Sequence, residues 1–112
     1  MKQTEILLTI KLHQELFIDP KRVRLLNEIK ECGSINQAAK NAKVSYKSAW
    51  DHLEAMNKIS PKPLLERNIG GKNGGGTSLT TYAERLLQLY DLLEQTQEHA
   101  FHILQDETIP LN

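Results

Sequence analysis

Ser45-Tyr46-Lys47-Ser48, with Asp51 one helical turn on, sets three hydroxyls, a cation and a carboxylate close together. These donors and acceptors suit base edges and phosphate oxygens in a DNA major groove. A helix beginning there would add its free N–H groups as an attraction for phosphate. Further on, NIGGKNGGGTS, Asn68 to Ser78, holds five of the six glycines around Lys72. Glycine lets backbone N–H groups approach an anion with no side chain in the way. A nucleotide P-loop is excluded, because it needs G-x-x-x-x-G-K-[ST] between a strand and a helix. Here Asn73 follows Lys72, and Glu66 stands at the first glycine position.

The remaining reactive groups assemble nothing. Asp51 and His52 are neighbours on a helical stretch and face different ways, so no relay forms with the nearby serines. His99 and His102 have a metal-binding separation, but no third ligand is evident, and both read as solvated helix residues. His13 and His52 stand isolated. No catalytic or metal-ligating set is expected, and the chain does not read as an enzyme.

Elements must position the Ser45 cluster and the glycine loop. Ile6, Leu8, Ile10 and Leu12 alternate, which predicts a half-buried strand over about 5–14. Asp19-Pro20 starts a helix with an N-cap acceptor and a first-turn proline, and Gly33 ends it. Val23, Leu25, Leu26, Ile29 and Cys32 form its apolar stripe. Ser34 with Gln37 is a capping box that opens a short, Ala-rich helix, about 35–42. Ser45 caps a third helix, about 46–59, with Ala49, Trp50, Leu53, Met56 and Ile59 apolar; Trp50 is assigned to the core. A small residue at Ala39, a plug at Val44 and an anchor at Leu53 describe a helix-turn-helix. That arrangement leaves the N-terminal turn of the third helix protruding. The same spacing also serves a plain three-helix core with a polar surface.

Leu64–Arg67 and Thr77–Thr80 flank the glycine loop as a hairpin, and a hairpin after a helix-turn-helix is a wing. Arg67 and Lys72 could reach phosphate or minor groove from it; the alternative is a tip that touches nothing. Thr81 with Glu84 forms a second capping box and starts the longest helix, about 82–105. Along it Leu79, Tyr82, Leu86, Leu89, Leu93, Thr96, Ala100 and Ile103 are spaced 3, 4, 3, 4, 3, 4, 3, a heptad seam. A second row runs Ala83, Leu87, Tyr90, Gln97, Phe101 and Leu104. One row can cover the chain's own core, and the other then calls for a second copy. The alternative is one wide stripe packed within a single chain. With twofold symmetry, half-sites would lie about 34 Å apart or at a multiple of that.

Net charge is zero over 112 residues, but it is unevenly spread. Residues 20–76 carry eleven Lys/Arg against five Asp/Glu, +6, and residues 77–112 carry one against six, −5. A basic middle points to a polyanion partner, although ordinary surface charge can look the same. The length suits about one domain. The lone Cys32 excludes an internal disulfide and sits where it would pack. No apolar run approaches the roughly 20 residues of a membrane span, and the N-terminus is a poor signal peptide. A cytoplasmic location is expected.

The runs GSINQAAKNAKVSYKSAWDHLEAMN, LLERNIGGKNGGGTSLT and YAERLLQLYDLLEQTQEHAF resemble the N-terminal domain of ModE-type molybdate-responsive transcription regulators, a winged helix-turn-helix related to that of LysR-type regulators. The similarity covers about residues 6–105. It implies a mainly α fold with a small β-hairpin: a winged helix-turn-helix domain over 1–80, a long dimerisation helix over 81–106 in the same compact unit, and a tail over 107–112. It implies a homodimer that binds double-stranded DNA carrying an inverted repeat, near genes of molybdate uptake or molybdenum-cofactor use. By position, the recognition-helix role falls on Ser45, Tyr46, Lys47, Ser48 and Asp51. The wing role falls on Arg67, Lys72 and the adjacent Gly71 and Gly74. The seam role falls on Tyr82, Leu86, Leu89, Leu93, Ala100 and Ile103. Family members continue into a C-terminal oxyanion-binding portion, so no cofactor and no molybdate ligand is expected within these residues. The competing expectation is a winged-helix protein-interaction adaptor that has no DNA partner.

Overall fold

A computed structural model describes residues 6–68 and 76–107. The chain opens with an antiparallel hairpin, β1 (Ile10–Leu12) and β2 (Glu15–Ile18). The expectation of one strand over 5–14 is therefore corrected: His13 and Gln14 form a two-residue turn with φ of 52° and 68°. Positive φ at both central positions is the turn whose twist matches paired strands. Here it is built without the glycine or asparagine that would announce it.

Helix α1 (Pro20–Cys32) begins where Asp19 accepts the Arg22 N–H at 2.8 Å. It ends at Gly33, whose φ of 69° turns the chain left-handed while its N–H bonds the Ile29 carbonyl. Leu25, Leu26 and Ile29 are buried, and Arg22 is buried on the same stripe. Cys32 packs half-buried, its thiol donating to the Glu28 carbonyl. Helix α2 (Ile35–Asn41) is capped by Ser34, which accepts the Gln37 N–H. The expected capping box is half made, since the Gln37 amide donates to Asn41 Oδ1 instead of reaching back. Lys43, at φ 59°, reverses the chain, and the Val44 N–H donates to the Ala39 carbonyl. Helix α3 (Tyr46–Ile59) follows, capped by Ser45.

Ala38, Ala39, Ala49, Leu53 and Met56 bury the α2–α3 crossing against α1. Full burial of a Leu or Met side chain is worth about 1.5–3 kcal/mol, so Leu53 and Met56 do much to hold α3 to the core. The second hairpin pairs β3 (Leu65–Asn68) with β4 (Gly76–Leu79), with Arg67 opposite Thr77. The Thr77 N–H donates to the Gly33 carbonyl at 3.0 Å, so β4 is fastened to the end of α1. Gly76 is small for that reason: a Cβ there would lie 2.9 Å from the Gly33 oxygen. Backbone cannot yield as a side-chain tip can, so Gly76→Ala should cost about 1–3 kcal/mol in urea unfolding. An unchanged midpoint would contradict this close approach.

Helix α4 (Thr81–Glu107) is about 40 Å long at 1.5 Å per residue. Its cap is Thr80, not Thr81: Thr80 Oγ1 accepts the Ala83 N–H, and its hydroxyl also donates to the Pro63 carbonyl. The Thr80 N–H bonds the Leu64 carbonyl, which ties the root of α4 to the start of β3. Ala83, Leu87 and Tyr90 are buried in the common core. The Tyr90 hydroxyl donates to the Leu8 carbonyl at 2.7 Å, and burial raises its pKa, so it stays a donor. Past Tyr90 the helix leaves the core, and residues 91–96 and 98–100 are exposed.

Candidate nucleic-acid interface

The α3 tip is built by its cap. Ser45 Oγ accepts the Ser48 N–H at 3.0 Å, which fixes the first turn and leaves that turn outside the core. Ser45, Tyr46, Lys47 and Asp51 are exposed and Ser48 is half-buried. Lys47 Nζ and Asp51 Oδ2 pair at 3.0 Å across one turn, with side chains 84% and 64% exposed. Such an exposed pair is weak and exchanges readily for another partner. A phosphate or a base edge could therefore displace either member at little cost.

The wing base lies against the same helix. Trp50, Leu53, Glu54 and Asn57 of α3 line a cleft of about 180 Å³ with Leu65 and Arg67 of β3. Arg67 is exposed at its rim. The assignment of Trp50 to the core needs correcting: it is half-buried and walls this cleft, because its position falls at the edge of the Ala49–Leu53–Met56 stripe. Gly71, Lys72 and Gly74 lie outside the described residues. The basic stretch, residues 20–76, contains the α3 tip and the wing base, whereas α4 carries the acidic excess. A polyanion is thereby attracted to one part of the molecule and repelled from the other.

The seam residues divide. Leu79, Tyr82 and Leu86 pack half-buried against the chain's own core, and Lys62 lies over the Tyr82 ring. Leu89, Leu93 and Ile103 are 41%, 48% and 48% exposed, and Ala100 is exposed between them.

Arg22 and His52 escape a reading by residue type, yet the structure joins them. The Arg22 Nε–H donates to His52 Nδ1 at 3.1 Å, and Arg22 Nη1 donates to the Leu16 and Phe17 carbonyls at 2.7 and 3.3 Å. His52 is thus not isolated. A signal did exist: Arg22, Leu25, Leu26 and Ile29 have the spacing of one buried helix face. Burial lowers the Arg22 pKa against the opposing pull of Asp19. Among the described residues, no three His, Cys, Asp or Glu side chains gather as a metal site. His102 pairs with Glu98 at 3.8 Å. Among those residues no helix is long and apolar enough to cross a membrane.

Comparison with known proteins adds to this geometry. The family model for bacterial regulatory helix-turn-helix proteins of the lysR family matches residues 20–84. The chain is 88% identical over all 112 residues to "Transcriptional regulator ModE" of Haemophilus influenzae, 44% of which it covers. It is 57% identical over 111 residues, 98% of its length, to "DNA-binding transcriptional dual regulator ModE" of Escherichia coli strain K12, covering 42% of that protein. The chain thus spans less than half the length of these relatives. Its fold resembles the crystal structure of ArgP from Mycobacterium tuberculosis, with a TM-score of 0.55 and 18% identity over 78% of this chain and 31% of that one.

Proposed function

Because the chain belongs to the lysR family of bacterial regulatory helix-turn-helix proteins, we propose that these residues form the sequence-reading, dimeric DNA-binding unit of a transcription regulator. The observation that carries this reading is the exposed, Ser45-capped tip of α3, set beside the β3 wing base within the basic part of the chain. In the complex, α3 enters the major groove. Ser45, Tyr46, Ser48 and Asp51 meet bases or phosphates there, while Lys47 leaves Asp51 for a phosphate. Arg67, with Gly71, Lys72 and Gly74, addresses the neighbouring backbone. The exposed Leu89, Leu93, Ala100 and Ile103 row pairs with that of a second copy, so the target is an inverted repeat. The resemblance to ModE-type regulators directs the proposal to genes of molybdate uptake and molybdenum-cofactor use, and no molybdate ligand is assigned within this chain.

Selection of bound duplexes from a random library tests it. The expected product is a palindrome whose affinity falls steeply with salt as counterion release is lost. Lys47→Ala should weaken binding about tenfold and reduce the log–log salt slope by about one, the signature of one phosphate contact. A dimer that enriches no sequence would instead support a protein-interaction adaptor. Salt-insensitive binding would refute the groove-and-phosphate mode.

A further inference from the structure

Arg22 lies where three elements meet. Its Nε–H holds His52 on α3, its Nη1 holds the Leu16 and Phe17 carbonyls at β2, and its own N–H is held by Asp19 at the head of α1. A guanidinium is planar and donates in a fixed fork, so the groups bonded to it are fixed relative to one another. The β1–β2 hairpin and α3 are therefore gauged from one group. His52 follows Asp51 directly, and the roll of α3 about its axis decides where Lys47 and Asp51 point. We propose that Arg22 and His52 form a positioning pair for the DNA-reading face of α3, and that the pair holds only while the His52 imidazole is neutral. This rests on the DNA-binding reading above.

The tautomer follows from the contact. Because Nδ1 accepts from Arg22, the proton of the neutral ring sits on Nε2. A second proton would go to Nδ1 and face the Arg22 Nε–H, placing donor against donor and cation against cation. The charged groups around the ring are Arg22 and Lys21 from α1, Asp19 at its cap and Asp51 on α3. From β2, the Leu16 and Phe17 carbonyls are engaged by the same guanidinium. Burial most of all, then Arg22 and Lys21, lowers the His52 pKa from 6.5, while Asp19 and Asp51 oppose the shift. The folded state thus favours the neutral ring. That contribution is complete above the ordinary value of 6.5 and is lost as pH falls through the lowered folded value.

The test compares affinity for the selected palindrome with affinity for an unrelated duplex, from about pH 7.5 to about pH 5, across the range in which imidazoles titrate. The ratio of the two cancels any general gain in phosphate attraction that acidification gives to both duplexes. For the wild type the ratio should fall about tenfold as pH drops through the lowered His52 pKa, the scale of one hydrogen bond to a charged group. His52→Gln, whose amide oxygen accepts and never charges, should keep the ratio flat. His52→Arg should have a low ratio at every pH while retaining salt-dependent binding to the unrelated duplex, which also shows that it is folded. Imidazole nitrogen NMR of the wild type should place the neutral-state proton on Nε2. A wild-type ratio independent of pH, a His52→Arg ratio equal to wild type, or a proton on Nδ1 overturns the proposal. If the wild type prefers no duplex at all, the DNA-binding reading fails and takes this proposal with it.

Discussion

Leu93→Asp, and equally Leu89→Asp, should convert the protein to a monomer at micromolar concentration in sedimentation experiments. Both side chains are more than two-fifths exposed, Leu93 where the helix has already left its own core and Leu89 on its outer face just before that point. They lie in a row with Ala100 and Ile103 at heptad spacing, and such a row is stable in water when a second copy covers it. Burying an unpaired carboxylate in that seam costs more than the seam can return. Affinity for an inverted repeat should then fall about 100-fold or more, because two linked half-sites become two independent encounters. Binding to a single half-site should persist, since Ala83, Leu87 and Tyr90, which root α4 in the core, are untouched. A wild type already monomeric, or a Leu93→Asp variant still dimeric, would show that the exposed row is not the seam.

Leu53→Ala should remove about 2–5 kcal/mol of stability in urea unfolding. Leu53 is 2% exposed, and it separates the buried α2–α3 crossing from the cleft under Trp50. Truncation would enlarge an existing cleft of about 180 Å³ at a place where the flanking helix and strand are hydrogen-bonded and cannot collapse inward. A domain of this size has about 5–15 kcal/mol in all, so the α3 tip would be lost with much of the fold. Leu53→Met, of similar volume, should cost less than about 1.5 kcal/mol. A loss below about 1 kcal/mol for the alanine would remove Leu53 as the anchor of α3.

The helices were legible because their caps are local chemistry. Asp19, Ser34 and Ser45 each accept an N–H three residues on, as their types and positions predict. The small Ala39, the Val44 turn and Leu53 follow from the same reasoning carried one step into packing. The turn at His13-Gln14 escaped because positive φ in those residue types leaves no compositional mark. The cap of α4 lies one residue before the expected Thr81 because Thr80 and Thr81 are chemically identical, and the contacts of Thr80 with Pro63, Leu64 and Ala83 distinguish them. Of the candidate interface, the capped and exposed tip of α3 follows from residue types and the Ser45 cap, and its contact with DNA stands as a proposal. Arg22 and His52 could not, because their meaning is a contact between residues thirty apart. The wing was read as a hairpin, and its strands pair as one. Gly71, Lys72 and Gly74 fall outside the described residues, so their part is left to mutation and salt titration.

The two hairpin strands leave the body from fixed moorings. One begins beside Leu64, which is clasped by Asn57 of α3 and by Thr80 at the foot of α4; the other is hooked at Thr77 to the carbonyl of Gly33. The strands on either side of the glycine-rich run are therefore held in a rigid socket. In the proposed dimer on DNA, helix packing would set where each wing stands along the duplex, so changing how the two α4 helices cross would move both wings together with both α3 tips as solid arms.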